Sequence, residues 1–105
     1  MEHKRGDTFN YVAAIPLNKP DGYFAEFEPT CQIRRKNGSI MATVATSWVD
    51  PVTTRLIQLK CDASVTELWP IGEAKLDIQL TRVSDGYVQS TTTVEVEVVE
   101  DITRV

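Results

Sequence analysis

The chain has 105 residues, with 11 Lys and Arg against 15 Asp and Glu, a formal charge of -4, 42% hydrophobic residues and 25% charged. A domain of that length removes roughly 65% of its extended-chain surface on folding, enough for one core without metal or disulfide support. The acidic balance disfavours nucleic acid as a partner. No apolar run approaches the roughly 20 residues that cross a membrane, and no apolar stretch follows the charged start "MEHKRGDTF", so no signal peptide is expected. Cys31 and Cys61 are accordingly expected to be free thiols, and the whole chain, residues 1–105, to be a single domain.

Residues 1–6 carry no periodicity and are expected to form a flexible N-terminus. They include the lone histidine, His3, where chains fray. Arg5–Asp7 spells the cell-adhesion tripeptide RGD, read here as a bend at Gly6 before the first strand. "DTFNYVAAI" (7–15) alternates, with Phe9, Tyr11, Ala13 and Ile15 on one face. "PLNKPDGYFAEFEP" (16–29) holds three of the five prolines, a Pro-Asp-Gly turn and three aromatics, Tyr23, Phe24 and Phe27. It is long for a hairpin loop, and long loops are often functional. A short edge strand at 23–27 is a further expectation.

"TCQIRRK" reads as a strand with Cys31 and Ile33 inward. Asn37-Gly38 is the strongest short hairpin signal in the chain, pointing to a type I′ turn. Its partner, "SIMATVATSWV" (39–49), puts Ile40, Ala42, Val44 and Thr46 on one face. After "DPVT", the strand "TRLIQLKC" turns Ile57, Leu59 and Cys61 inward. "DASVTELWPIG" (62–72) interrupts the alternation; at most one helical turn is expected near 62–68, capped by Asp62 and closed by Pro70 and Gly72. In the closing hairpin, Ala74, Leu76, Ile78 and Leu80 alternate with Glu73, Lys75, Asp77 and Gln79. Beyond Asp85-Gly86, Val94, Val96 and Val98 alternate with Glu95 and Glu97.

This pattern predicts an all-β chain, an antiparallel immunoglobulin-like β-sandwich of six to seven strands, with a small barrel as the other arrangement that the turn spacing allows. Chemistry is sparse. One histidine near the terminus does not build a nucleophile's base; two cysteines and that histidine do not make a zinc site; and no D-x-D-x-D-G calcium loop is present. Catalytic, metal and cofactor residues are therefore expected to be none.

Four stretches carry a resemblance: "KRGDTF", "CQIRRKNGSIMA", "LKCDASVTELWPIGEAKLDIQL" and "DGYVQSTTTVEVEVVEDITR". Their order, from Gly6 to Arg104, resembles small structural proteins of tailed bacteriophages and prophages. In these a "GDT" start leads to an "x-I-R" strand, a "T-x-x-(W/L)-P-x-G" corner to a "D-I-Q" strand, and a "T-x-x-V-x-V-x-x-D-I-T" strand ends the domain. The resemblance implies a sandwich like the N-terminal domains of some baseplate and tail-fibre proteins, with no catalytic residues. No trimerising or receptor-binding segment is expected after Val105, so decoration, connector or baseplate roles are the expectation rather than a fibre. It implies a non-enzymatic virion structural or assembly protein that docks other phage virion proteins and forms a homo-oligomer. Such a chain resides in the bacterial host cytoplasm during assembly and then in the virion.

The interaction surface expected on this reading comprises Tyr23, Phe24 and Phe27 in the long loop, Arg34 and Arg35 at the hairpin tip, and Thr91, Thr93, Glu95 and Glu97 of the last strand. That strand is expected at a sheet edge, able to accept another strand, with the tail from Ile102 to Val105 reaching a neighbour. The alternative is a ligand-binding sandwich such as a carbohydrate-binding module, in which Tyr23, Phe24, Phe27, Trp48 and Trp69 supply rings for sugar stacking.

Overall fold

The computed structural model describes residues 1–16, 18–91 and 93–100. Eight strands follow in chain order among them: β1 (Glu2–Lys4), β2 (Phe9–Ala14), β3 (Phe27–Arg35), β4 (Ile40–Trp48), β5 (Leu56–Cys61), β6 (Gly72–Arg82), β7 (Val88–Ser90) and β8 (Val94–Val99). One short helix, α1 (Ala63–Thr66), sits between β5 and β6. The pairing path runs β1-β8-β6-β3-β4-β5-β2, with β7 also on β6.

The all-β class stands, but the architecture differs from a purely antiparallel immunoglobulin-like sandwich. β1 runs parallel to β8, with Glu2 opposite Glu97, His3 opposite Val98 and Lys4 opposite Val99, so the sheet is mixed. β4 bridges two surfaces. Its first half pairs β3, with Ala42 opposite Ile33 and Val44 opposite Cys31. Its second half pairs β5, with Thr46 opposite Leu59 and Trp48 opposite Ile57. The sheet thereby curls until its two ends, β1 and β2, come side by side in a nearly closed barrel.

Side chains close that seam. His3, only 3% exposed, packs edge-on to Phe9 at 5.1 Å between ring centroids and lies 5.7 Å from Trp69. Its Nδ1 is 3.0 Å from the Tyr11 hydroxyl and its Nε2 is 3.0 Å from the Asp7 carbonyl oxygen. A carbonyl only accepts, so Nε2 carries the proton and donates, and in the neutral ring Nδ1 accepts from Tyr11. The flexible start expected over 1–6 is thus corrected. A three-residue strand has no readable period, and only the fold reveals that β8 and the Phe9–Tyr11–Trp69 cluster hold it.

Most of the interior consists of alternating residues read from the sequence; Ile40 and Val94, expected among them, are exposed instead, Ile40 where the β3–β4 register shifts, and Phe24, Phe27 and Trp69 join the core. Phe9, Ile33, Ile57 and Leu80 are fully buried, surrounded by Val44, Leu59, Leu76, Ile78, Val96 and Val98. Cys31 and Cys61 are free and buried. β4 stands between their strands, and Cys61 Sγ lies 3.9 Å from the Thr43 carbonyl of that strand. Burial pushes the Cys31 thiol up to about 12 and raises Cys61 as well.

Three local details depart from expectation. At the Asn37-Gly38 tip only Gly38 has a positive φ, 89°. The Gly38 N–H donates to the Arg35 carbonyl and the Arg35 N–H to the Ser39 carbonyl, both at 2.9 Å. That is a three-residue loop with a glycine bulge, not a type I′ turn. Asn37 is free to stay right-handed because its Oδ1 accepts from the Ser39 N–H and hydroxyl. Residues 23–26 form turns, not an edge strand, and β3 begins at Phe27. The Gly22 N–H donates to the Thr53 carbonyl at 2.8 Å and the Phe24 N–H to Thr54 Oγ1 at 3.3 Å, folding the long loop onto the 50–54 turn. The helical turn is where the sequence puts it, although Asp62 makes no side-chain cap bond.

The closing hairpin is one long strand, β6, met by two short ones. β7 pairs its far end, Gln79 opposite Ser90, and β8 its near end, Leu76 opposite Val94. The return path holds one more residue than the outgoing path. This bulge reverses the side-chain alternation between β7 and β8. It allows Val96 and Val98 to face the core while Glu95 and Glu97 face out.

Candidate docking surface

The outer faces of β3, β6, β8 and β1 form a groove of about 600 Å³. Strand register sets its chemistry row by row. Glu73 lies directly opposite Glu97, and Glu97 opposite Glu2, so three carboxylates cross three strands side by side. In the next row Arg34 is opposite Lys75, and Lys75 opposite Glu95. In the third, Gln32 is opposite Asp77, and Thr93 Oγ1 donates to Asp77 Oδ1 at 3.0 Å. The β3–β4 tip adds Arg35 and Lys36 to one rim.

Charge is therefore separated across the groove. Arg34, Arg35 and Lys36 stand on the β3 side, and Glu95, Glu97 and Glu2 on the β8–β1 side, where the Met1 ammonium, donating to the Glu95 carbonyl at 2.9 Å, offsets part of the acidic charge. Two to three strand spacings, about 10–14 Å, part them. Arg34 is oriented by its own hairpin, its guanidinium donating to the Gly38 carbonyl and to Gln32 Oε1, each at 3.0 Å. The ion pair spanning the rim, Lys36 Nζ to Glu73 Oε2, is 3.7 Å long, with both side chains at least 75% exposed. Such a pair contributes little. The glutamate row carries like charges opposite one another, an arrangement that destabilises a sheet unless cations approach it.

The structure brings together five of the nine residues expected to form the interaction surface: Arg34, Arg35, Thr93, Glu95 and Glu97 all line this groove. It separates the others. Phe24 and Phe27 are core residues, 3% and 5% exposed, packed edge-to-face at 5.2 Å. Tyr23 lies over them, 4.8 Å from Phe24, with Lys19 Nζ 4.9 Å from its ring. Thr91 is half-buried and ties its strand to β6, its N–H and hydroxyl both directed at the Ile78 carbonyl. Thr92 and the tail 102–105 lie outside the described residues.

The last strand is not an edge. β6 covers one side of β8 and β1 the other. The Glu97 N–H donates to the Met1 carbonyl at 2.7 Å and the Arg5 N–H to the Val99 carbonyl at 2.8 Å. Backbone groups expected to recruit a partner strand are occupied by the chain's own N-terminus.

The partners of the groove residues that sequence reading missed are Glu2, Glu73, Lys75 and Asp77. The last three occupy the polar positions of the alternation in β6, so their common face was visible. Their rows with Arg34 and Glu97 required the register. A row of sugar-stacking rings is not present among the expected five: Phe24, Phe27 and Trp69 are buried. Trp48 is half-buried with its indole N–H 3.4 Å from the Phe27 carbonyl. The buried Trp69 indole N–H meets no hydrogen-bond partner among the described residues. No group of His, Cys, Asp and Glu among the described residues is placed to hold a metal ion, and no described helix is long and apolar enough to cross a membrane.

What these residues define is a class: a nearly closed, mixed β-barrel of one hairpin-rich layer path, with a charge-separated groove on one outer face. No protein-family model matches the chain, and no curated protein matches it in sequence. Among solved structures the chain is similar to the N-terminal domain of phage TP901-1 ORF48. The TM-score is 0.64 at 17% identity, over 95% of this chain and 83% of that one. At that identity the likeness is one of fold.

Proposed function

We propose that this chain is a non-enzymatic structural or assembly component of a bacteriophage or prophage particle, acting in the tail, baseplate, connector or head decoration. It works by docking other virion proteins and by self-association, in the bacterial host cytoplasm during assembly and thereafter in the particle. The observation that carries the reading is the fold shared with a phage protein's N-terminal domain along nearly the whole chain. The phage-like order of sequence motifs from "KRGDTF" to "VEDITR" supports it independently. The groove suits docking, because segregated rim charge selects and orients a protein partner more than it adds affinity.

The test is to induce particles from a host carrying the gene, purify them, and look for this chain by mass spectrometry and antibody–gold labelling. The expected result is the chain at one fixed location in the particle, with assembly arrested when the gene is deleted. Particles that lack the chain and assemble normally without its gene overturn the proposal.

A further inference from the structure

We infer that the groove is occupied by the same groove of a second copy of this chain, the two related by a twofold axis lying between the faces and running along the strands. This deepens the proposed reading, on which it rests for its biological setting, by naming the partner and the surface.

The argument is one of symmetry and charge. The groove is basic along its β3 rim and acidic along its β8–β1 rim. A twofold axis along the groove exchanges left and right while turning one face onto the other. It therefore sets the basic rim of each copy over the acidic rim of its partner, twice. An axis across the groove would set like charge on like. Isologous contacts of this kind close on themselves and yield a discrete dimer.

Shape agrees with charge. The β3–β4 tip, built by the glycine bulge at Gly38, stands at the rim of a concave face. In the pair, each tip enters the partner's groove and delivers Arg35 and Lys36 to the glutamate row. Three observations say the row awaits cations. Glu73, Glu97 and Glu2 are directly opposed with no intervening basic residue in their strands. Among the described residues, the side-chain cation that reaches them is Lys36, at 3.7 Å from Glu73 in open solvent. Arg35 is exposed at the tip and forms no ion pair with a carboxylate among the described residues. Exchanging the loose Lys36–Glu73 pair for contacts between copies gives up little, and the complementary charge fixes the register of the two faces.

The experiment is mass by light scattering and sedimentation, on the full chain, over a wide concentration range at about 50 mM and about 500 mM ionic strength, where screening lengths differ roughly threefold. The wild type is expected to be dimeric at low salt and to dissociate at high salt. Two charge-reversal variants follow, R35E/K36E and E95K/E97K, all at exposed positions. Each alone is expected to raise the dimer dissociation constant by about tenfold or more.

The decisive arm mixes the two variants. Only in the heterodimer do both contacts become opposite in sign: reversed tip against reversed row, and native row against native tip. The mixture is expected to return to dimer mass. A monomeric wild type at low salt, variants that associate like wild type, or a mixture that stays monomeric each overturns the inference. Any such failure leaves the particle assay untouched, and absence from particles leaves the dimer result untouched, so the two proposals fail separately.

Discussion

Replacing His3 with alanine should destabilise the fold by about 3 kcal/mol. Truncation removes two hydrogen bonds in a part-buried site, to the Tyr11 hydroxyl and the Asp7 carbonyl, each contributing about 1 kcal/mol. It also removes ring packing against Phe9 and Trp69, contributing about 0.5–1.5 kcal/mol beyond area burial. For a domain of this size each kcal/mol shifts the melting temperature by roughly 4–8 °C, so a drop of about 15 °C is expected. The assay is thermal unfolding followed by far-ultraviolet circular dichroism and by tryptophan emission, since Trp69 reports the seam directly. Tyr11→Phe removes only the Nδ1 bond and should cost about 1 kcal/mol, and the double variant should show a coupling of similar size. A melting temperature for His3→Ala within about 3 °C of wild type would refute the view that the N-terminal segment latches the barrel.

Four further outcomes follow from the same geometry. Cys31 and Cys61 should resist a thiol reagent at pH 8 in the folded chain and react at once in denaturant; rapid native labelling would contradict their burial. The folded-state pKa of Cys31, about 12, and that of Tyr11 lie above their ordinary values, the latter raised first by desolvation and then by Asp7. Groups raised in this way contribute stability that is present below about pH 9–10 and lost as pH rises through the folded values, so denaturant midpoints should fall on the alkaline side, and less steeply in Tyr11→Phe. Glu97→Lys, measured at low ionic strength and low protein concentration, should raise stability by about 0.5–1 kcal/mol by converting an opposed carboxylate row into alternating charge; a lower midpoint would show that the row is already neutralised. Gly22→Ala should lower stability by about 1 kcal/mol or more, because Gly22 sits at φ 81° and a Cβ there would meet the Val52 carbonyl oxygen at 3.1 Å, and an unchanged melting curve would place the loop elsewhere.

Much of the interior was legible from period alone. Ile33, Ile57, Leu59, Leu76, Ile78 and Leu80 all stand at alternating positions, and a half-buried strand can satisfy such alternation in only one way. The break at 62–72 was legible as well, since Pro70 and Gly72 end the pattern. Individual loop aromatics were not. Phe24 and Phe27 read as candidates for a surface because their loop lacks a period, yet hydrogen bonds from Gly22 and Phe24 to the 53–54 backbone and side chain fold that loop inward. Within the candidate groove, the sequence supplied the two charged ends, Arg34-Arg35-Lys36 and Glu95/Glu97, without relating them.

Local alternation and turn chemistry by themselves determined that this chain is built of strands, which residues of each strand are apolar on one face, and where the hairpin tip falls. Only the tertiary structure decided which strands are neighbours. A parallel contact between a three-residue segment at one end of the chain and β8 near the other leaves no local mark, because it depends on closure of the whole barrel rather than on nearest neighbours. The same closure turns His3 from a fraying residue into a buried latch. It also removes β8 from the sheet edge and sets Glu2, Glu97 and Glu73 in one row facing a basic rim.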